Sequence, residues 1–330
     1  MAKIYECDFP NLENLFIRDL NPSIEQWQDR KALRMSGEGA CLLLIPDLEL
    51  AKGQVAVDIA AERAAYPGIA FRVQDSLNYE LAYAQPHTSG KWDAIQYDPV
   101  FHGSNTWQLY HGPGSQQVAE VPQGNWFRFR VGFHNQRAII QVNEQDPLIV
   151  SELAHHSTSG LVGLWTYQPA YFSNLEIFDD PPQEIHRVIS VNKETDPGVI
   201  TQWWLEGFGR VESEPGGILN LNRYLPVWVS EVKLSRDFEM VEDGELRIEF
   251  GFSDDLILQI DGEPIFTGEH IFKSSPTWED SGYVSLENEL DHQLKKGIHQ
   301  LTAVLKSREH FGFGIILSLD GADYRILPIN

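Results

Sequence analysis

The feature that most limits how this chain folds is its cadence. Short runs with alternating apolar side chains, each closed by Gly, Pro, Asn, Asp or Ser, recur from one end to the other. In the first half they fall at 40–45, 54–59, 69–73, 78–84, 94–98, 106–110, 126–133, 137–143, 160–166 and 171–178. Strand side chains alternate between the two faces of a sheet, so such runs bury one side each. No window of 1–180 keeps a helical period, and AAERAAY (60–66) reads as a short helical turn or a loop. This spacing predicts an antiparallel sandwich or barrel rather than βαβ units. The second half continues in the same way, with strand runs at 199–205, 217–221, 227–234, 245–251, 255–261, 264–267, 282–286, 298–305 and 311–319. Asp261-Gly262 between two of them predicts a two-residue hairpin. LENELDHQLKKG (286–297) is the one helix candidate, stopped by Gly297.

At 330 residues the chain exceeds one ordinary core. FDDPPQE (178–184) cannot continue a central strand, so a linker is placed at roughly 179–190. The expected organisation is all-β, two antiparallel jelly-roll β-sandwich domains, at 1–180 and 190–330. Both halves are acidic and the net charge is −23, which argues against nucleic acid or an anionic membrane as partner. No run is long and apolar enough to span a bilayer as a helix. The N-terminus lacks the regions of a secretion signal, which predicts a cytoplasmic protein; with a leader removed it would be a secreted one. In that setting Cys7 and Cys41 read as two free buried thiols, with a disulfide left open if strands bring them together.

The richest chemistry lies in 92–110, WDAIQYDPVFHGSNTWQLY. Read as two strands and a loop, it turns Ile95, Tyr97, Trp107 and Leu109 inward and presents Gln96, Asp98, Gln108 and Tyr110 outward. Neighbouring strands add Arg72 and Glu80 to that surface by the same alternation. Amide, carboxylate, guanidinium and phenol side by side suit a ligand made of hydroxyls, with Trp92, His102 or Trp165 stacking on a pyranose ring. The same residues also suit a solvated face with an Arg72–Glu80 pair. Glu80 and Asp98 are the minimum carboxylate pair for glycoside hydrolysis.

His87, His102, His111, His134, His155 and His156 lack metal-site spacing, so no metal is assigned. Calcium stays open, because loop oxygens leave no compact signature. Asp254 and Asp255 open a strand, where carboxylates cap turns more often than they hold calcium. Trp203 and Trp204 occupy opposite strand faces, so at most one is core.

PGIAFRV (67–73), YELAYAQPHTSGKWDAIQYDPVFHGSNTWQLYHGPG (79–114), GNWFRFRVGFHNQRAIIQVN (124–143) and GLVGLWTYQPAYFSNLEIF (160–178) together resemble the concanavalin A-like lectin/glucanase superfamily, near its laminin-G-like and 3-keto-disaccharide-hydrolase-type modules. The glucanase strand Glu-x-Asp-x-x-Glu is absent, so the resemblance implies carbohydrate recognition more than cleavage. Its concave sheet would carry Arg72, Glu80, Gln96, Asp98, Gln108 and Tyr110. Residues 200–320 are similar to galactose-binding-like jelly rolls and protective-antigen-type lectin barrels, through Ser253-Asp254-Asp255, Ile260-Asp261-Gly262 and Gly297.

These readings combine into a carbohydrate-binding protein, recognising a glycan on the concave sheet of the N-terminal domain without catalysis and without a required cofactor. A glycoside hydrolase or sugar-modifying enzyme using Glu80 and Asp98 is the alternative. A protein-interaction scaffold is the third reading, and the oligomeric state is left open.

Overall fold

The structure is a computed structural model that describes residues 2–9, 16–18, 21–189, 194–272, 282–321 and 323–329. Among them, all regular structure is β-strand and short 3-10 turns. The chain divides into two compact units. One comprises Met1–Val100 with Tyr110–Val191, the other Phe101–Leu109 with Asn192–Asn330.

The first unit is built from two antiparallel sheets. One runs β13 (Leu148–Val150), β12 (Arg137–Val142), β11 (Phe127–His134), β6 (Gly53–Ala60), β15 (Ala170–Phe178), β4 (Arg30–Met35), β3 (Ser23–Trp27), with β1 (Lys3–Cys7) also on β15. The other runs β10 (Gln116–Gln117), β9 (Ile95–Tyr97), β8 (Asn78–Ala84), β7 (Tyr66–Asp75), β14 (Gly160–Tyr167), β5 (Ala40–Leu50), β2 (Phe16–Arg18). The alternation of WFRFRVGF survives intact. Phe127, Phe129, Val131 and Phe133 are buried, while Arg128 turns out to Asp58 and Glu176. Phe133 stacks on Phe71 of the second sheet, with ring centroids 5.2 Å apart, which closes the sandwich.

The second sheet differs from that simple pattern because both of its faces are apolar. Leu42, Leu44, Ala70, Val73, Tyr79, Leu81, Tyr83, Val100 and Trp165 form one cluster on the face turned away from Phe71. Across the row Leu42–Trp165–Gly68–Tyr83–Gln96, directly paired residues share that face. Gly68 is the low point between the stacked Trp165 and Tyr83 rings, 5.7 Å apart. A Cβ there would lie 2.0 Å from the Ala82 carbonyl oxygen and 2.7 Å from Tyr83 Cα.

The second unit has one core shared by a seven-stranded and a four-stranded antiparallel sheet. The Asp261-Gly262 hairpin forms between Asp254–Ile260 and Glu263–His270, with φ of 51° and 85° at the two turn residues. The expected helix at 286–297 is instead a strand, Asn288–Leu294, paired with Gly244–Phe252. Its charged residues alternate strictly with Leu290, His292 and Leu294, and pairing overrides their helical propensity. The 106–110 strand also does not form. Gln108 N donates to Phe311 O, Val284 N donates to Gln108 O, and the Trp107 ring packs against Phe272, Tyr283 and Phe311, all within the second unit. Segment 101–109 therefore belongs to that unit, although the sequence reading assigned it to the first. The linker region is packed as well: after Phe178 a 3-10 turn, Gln183–Arg187, buries Ile185 against Ile139 and Val188. Trp203 is core and Trp204 is 45% exposed, as their opposite faces require.

Replacing Gly68 with Ala is expected to cost roughly 1–3 kcal/mol, the usual penalty of overpacking. Urea unfolding with an unchanged midpoint would show that the strands part freely at this point.

Candidate functional site

The register of β7, β8 and β9 decides where the expected site residues go. Glu80 pairs with Phe71 and so faces the interior between the sheets, fully buried. Tyr97, opposite Ala82, shares that interior face, and its hydroxyl donates to Glu80 Oε2 at 2.6 Å. His155 N donates to Glu80 Oε1 at 2.9 Å, and Ala154 N donates to the Tyr97 hydroxyl oxygen at 2.7 Å. Burial, then the neighbouring Glu80 charge, pushes the Tyr97 phenol well above its ordinary value, so it stays a donor.

Gln96 and Asp98 point the other way. Gln96 lies opposite Tyr83, and Asp98, whose N donates to Leu81 O, continues the same register. Glu80 and Asp98 thus occupy opposite faces of one sheet and cannot flank one glycosidic bond, which corrects the paired-carboxylate reading. Neither does the expected polar surface form. Arg72 and Glu80 are interior, and Gln96 and Asp98 are buried on the outer face. Gln96 Nε2 donates to Tyr97 O and Tyr110 O, and Gln116 donates to Gln96 Oε1. Gln108 is buried in the second unit, where His102 Nδ1 lies 2.7 Å from Asn222 O. Tyr110 meets Tyr97 edge to face, Trp92 is half-buried, and Trp165 is only 3% exposed, its Nε1 donating to the Tyr79 hydroxyl. Because both faces of the sheet are apolar, alternation gives no sign of which side the polar residues take, and a one-residue slip inverts the assignment.

What the register does assemble is a rim at the end of the outer face. Tyr167 lies opposite Tyr66, two residues on from Trp165, and its ring is 44% exposed. The Tyr66 ring is the hub. It meets Tyr83 and Tyr167 at 5.9 Å each and His87 at 4.9 Å, all edge to face. His87 comes from the 3-10 turn Pro86–Thr88 that follows β8. Asp93 follows on the return to β9, where Gln85 Nε2 donates to the Asp93 carbonyl at 2.6 Å. His87 Nδ1 and Asp93 Oδ1 are both buried atoms without a hydrogen-bond partner. Burial holds the His87 imidazole below its ordinary value against the pull of Asp93. Burial likewise raises the Asp93 carboxyl and the Tyr66 phenol, the latter helped by the Asp93 charge.

Sequence reasoning gave no ligand role to Tyr66, Asp93 and Tyr167, and weighed His87 only as a metal ligand. One signal was legible: Trp165 and Tyr167 are two apart in a strand and so share a face. The others come together only through pairing.

Among the described residues, no group of three or more His, Cys, Asp or Glu is placed to hold a metal ion, and no helix is long and apolar enough to cross a membrane. Asp254 acts as a turn cap, its Oδ2 accepting from Arg308 N and Glu309 N. Cys7 and Cys41 are not joined by a disulfide.

No family model and no curated protein matches the chain. Among solved structures, a carbohydrate-binding module of Bacillus subtilis, CBM66, aligns at 15% identity, covering 51% of this chain and 97% of its own, with a TM-score of 0.40. A Bacillus subtilis protein of unknown function with a galectin-like fold aligns at 10% identity over 56% and 98%, with a TM-score of 0.42. The endo-beta-1,3(4)-glucanase SCLam aligns at 11% over 54% and 90%, with a TM-score of 0.36. Likeness at this level carries no functional argument.

Tyr97→Phe strips a donor from buried Glu80 and an acceptor from Ala154 N, and is expected to cost about 1–3 kcal/mol of stability in chemical denaturation; an unchanged value would mean that the clasp is not formed. A second expectation concerns pH. The folded His87 binds its proton less readily than the unfolded chain, whose ordinary value is 6.5, so its contribution is present above 6.5 and is lost as pH falls toward the depressed folded value. Asp93, raised from 3.8, acts with the opposite sign, its contribution present below 3.8 and lost as pH rises through the raised folded value. Between pH 7.5 and 5.5 the wild type should therefore lose more stability than His87→Gln, and equal losses would assign the effect elsewhere.

Proposed function

We propose that the first unit binds a carbohydrate at the rim of Tyr66, Tyr167, His87 and Asp93, without chemistry of its own. The observation that carries this reading is the pair of buried, unpartnered polar atoms, His87 Nδ1 and Asp93 Oδ1, beside a half-exposed tyrosine ring. A buried polar atom without a partner is costly, and a ligand that supplies one gains correspondingly. Vicinal hydroxyls both donate and accept, and the C–H face of a pyranose suits the Tyr167 ring. The Tyr167 ring rests edge to face against Tyr66, which in turn meets Tyr83, itself stacked on Trp165. Hydrolysis calls for two carboxyls facing one bond, about 5–9 Å apart. Glu80 and Asp98 do not supply that pair, and both Glu80 oxygens accept hydrogen bonds within the core.

A neutral-glycan array followed by titration of the strongest hit tests this. Tyr167→Ala and Asp93→Asn should each weaken binding about tenfold or more, a loss of about 1.4 kcal/mol, with the glycan recovered uncleaved. Binding that survives both substitutions would move the ligand elsewhere, and release of shorter products would make the protein an enzyme.

A further inference from the structure

We infer that the opposite end of β7 is an oxyanion site, separate from the rim. Arg72 lies six residues beyond Tyr66, about 20 Å along an extended strand. The ladder is irregular on both sides of it, with register shifts toward β8 and β14, and Arg72 itself takes a left-handed conformation at φ 48°. A bulge of this kind re-aims a side chain. Here it turns the guanidinium toward the Phe133 ring at the end of the sandwich, 5.9 Å away.

There Arg72 lines a cavity of about 270 Å³ together with Ala51, Lys52, His134, Asn135 and Thr158. Its side chain is almost wholly buried, yet all its hydrogen bonds go to neutral acceptors. Nη1 donates to Gln136 Oε1 at 2.9 Å and Ser157 O at 3.0 Å. Nη2 donates to Asn135 O and to Ala51 O at 3.4 Å. Nε is buried with no partner. Burial opposes the Arg72 charge, and Glu80 supports it only through space, since the Glu80 oxygens accept from Tyr97 and His155.

Lys52 and Arg137 act with Arg72 on His134 in this region of a chain whose net charge is −23. His134 is held below its ordinary value, first by burial and then by His186, Lys52, Arg72 and Arg137. Its ring meets that of His186 at 5.3 Å. Lys52 is offset by Asp180, 2.5 Å away. A buried cation without a direct counter-charge is unfavourable. A sulfate, phosphate or carboxylate group would supply that charge, accept from Arg72 Nε, and be reached by Lys52, Thr158 and Asn135. Arginine suits such oxyanions through charge-assisted hydrogen bonds.

The test follows the His134 imidazole by NMR, assigned with His134→Gln, in low-chloride buffer during titration with sodium sulfate, sodium phosphate, glucuronate and glucose. The expected result is a saturable shift of His134 with a rise in its pKa for the anions, none for glucose, and none at His87. Lys52→Gln should weaken the anions by roughly fivefold, the scale of one partly exposed charge. Arg72→Lys should abolish saturation, and Lys52→Gln keeps the test informative if Arg72→Lys does not fold. Stronger binding of glucuronate would assign the site to an acidic sugar, and stronger binding of sulfate or phosphate to the free ion. Linear shifts of equal size at His87 and His134, or an affinity untouched by Lys52→Gln, would overturn the proposal. Because the rim is probed with neutral glycans, the two readings fail separately.

Discussion

A carboxylate with no exposure to water sits between the two sheets of the first unit, and much of that unit's geometry follows from how it is accommodated. Glu80 would be prohibitive there if left bare. Instead it accepts from the Tyr97 hydroxyl and from His155 N, while Tyr97 in turn accepts from Ala154 N. The clasp ties β8 to β9 and fastens the 151–159 segment over their end. It also fixes which residues of β9 look inward. With Tyr97 committed to Glu80, Gln96 and Asp98 must join Tyr83 and Leu81 on the outer face.

From that register follow two polar places at the two ends of β7. At one end Tyr66 gathers Tyr83, Tyr167 and His87, and burial keeps both His87 and Asp93 toward their neutral forms. At the other, a bulge delivers a buried guanidinium to a small cavity. Between them the outer face is filled by Trp165, Tyr83, Leu81 and Tyr79, packed closely over Gly68 and Ala70. The middle of the sheet is therefore core on both sides, and recognition is left to its ends.

The second unit was legible where local chemistry suffices. The Asp261-Gly262 turn needs two positive φ angles and this pair of residues provides them. The opposed environments of Trp203 and Trp204 follow from strand alternation alone. The 286–297 helix was not legible as a strand, because Glu, Lys and Leu favour helices in isolation and only the ladder with Gly244–Phe252 reverses that preference. Segment 101–109 was misassigned for a similar reason: it looks like a hairpin arm beside 93–98, but its backbone groups pair with Phe311 and Val284, some 200 and 175 residues away in the sequence.

By itself the sequence determined that the chain is all-β and antiparallel, because period-two runs closed by turn residues admit little else. It also determined which residues of β11 face the core, since that strand has one apolar and one charged side. Only the tertiary structure decided where Glu80, Asp98, Gln96 and Arg72 point. Alternation specifies a face when one side of a sheet is wet, and here both sides are dry. The rim of Tyr66, His87, Asp93 and Tyr167 was likewise beyond the sequence, because its members come from two strand ends and two turns that only strand pairing brings together.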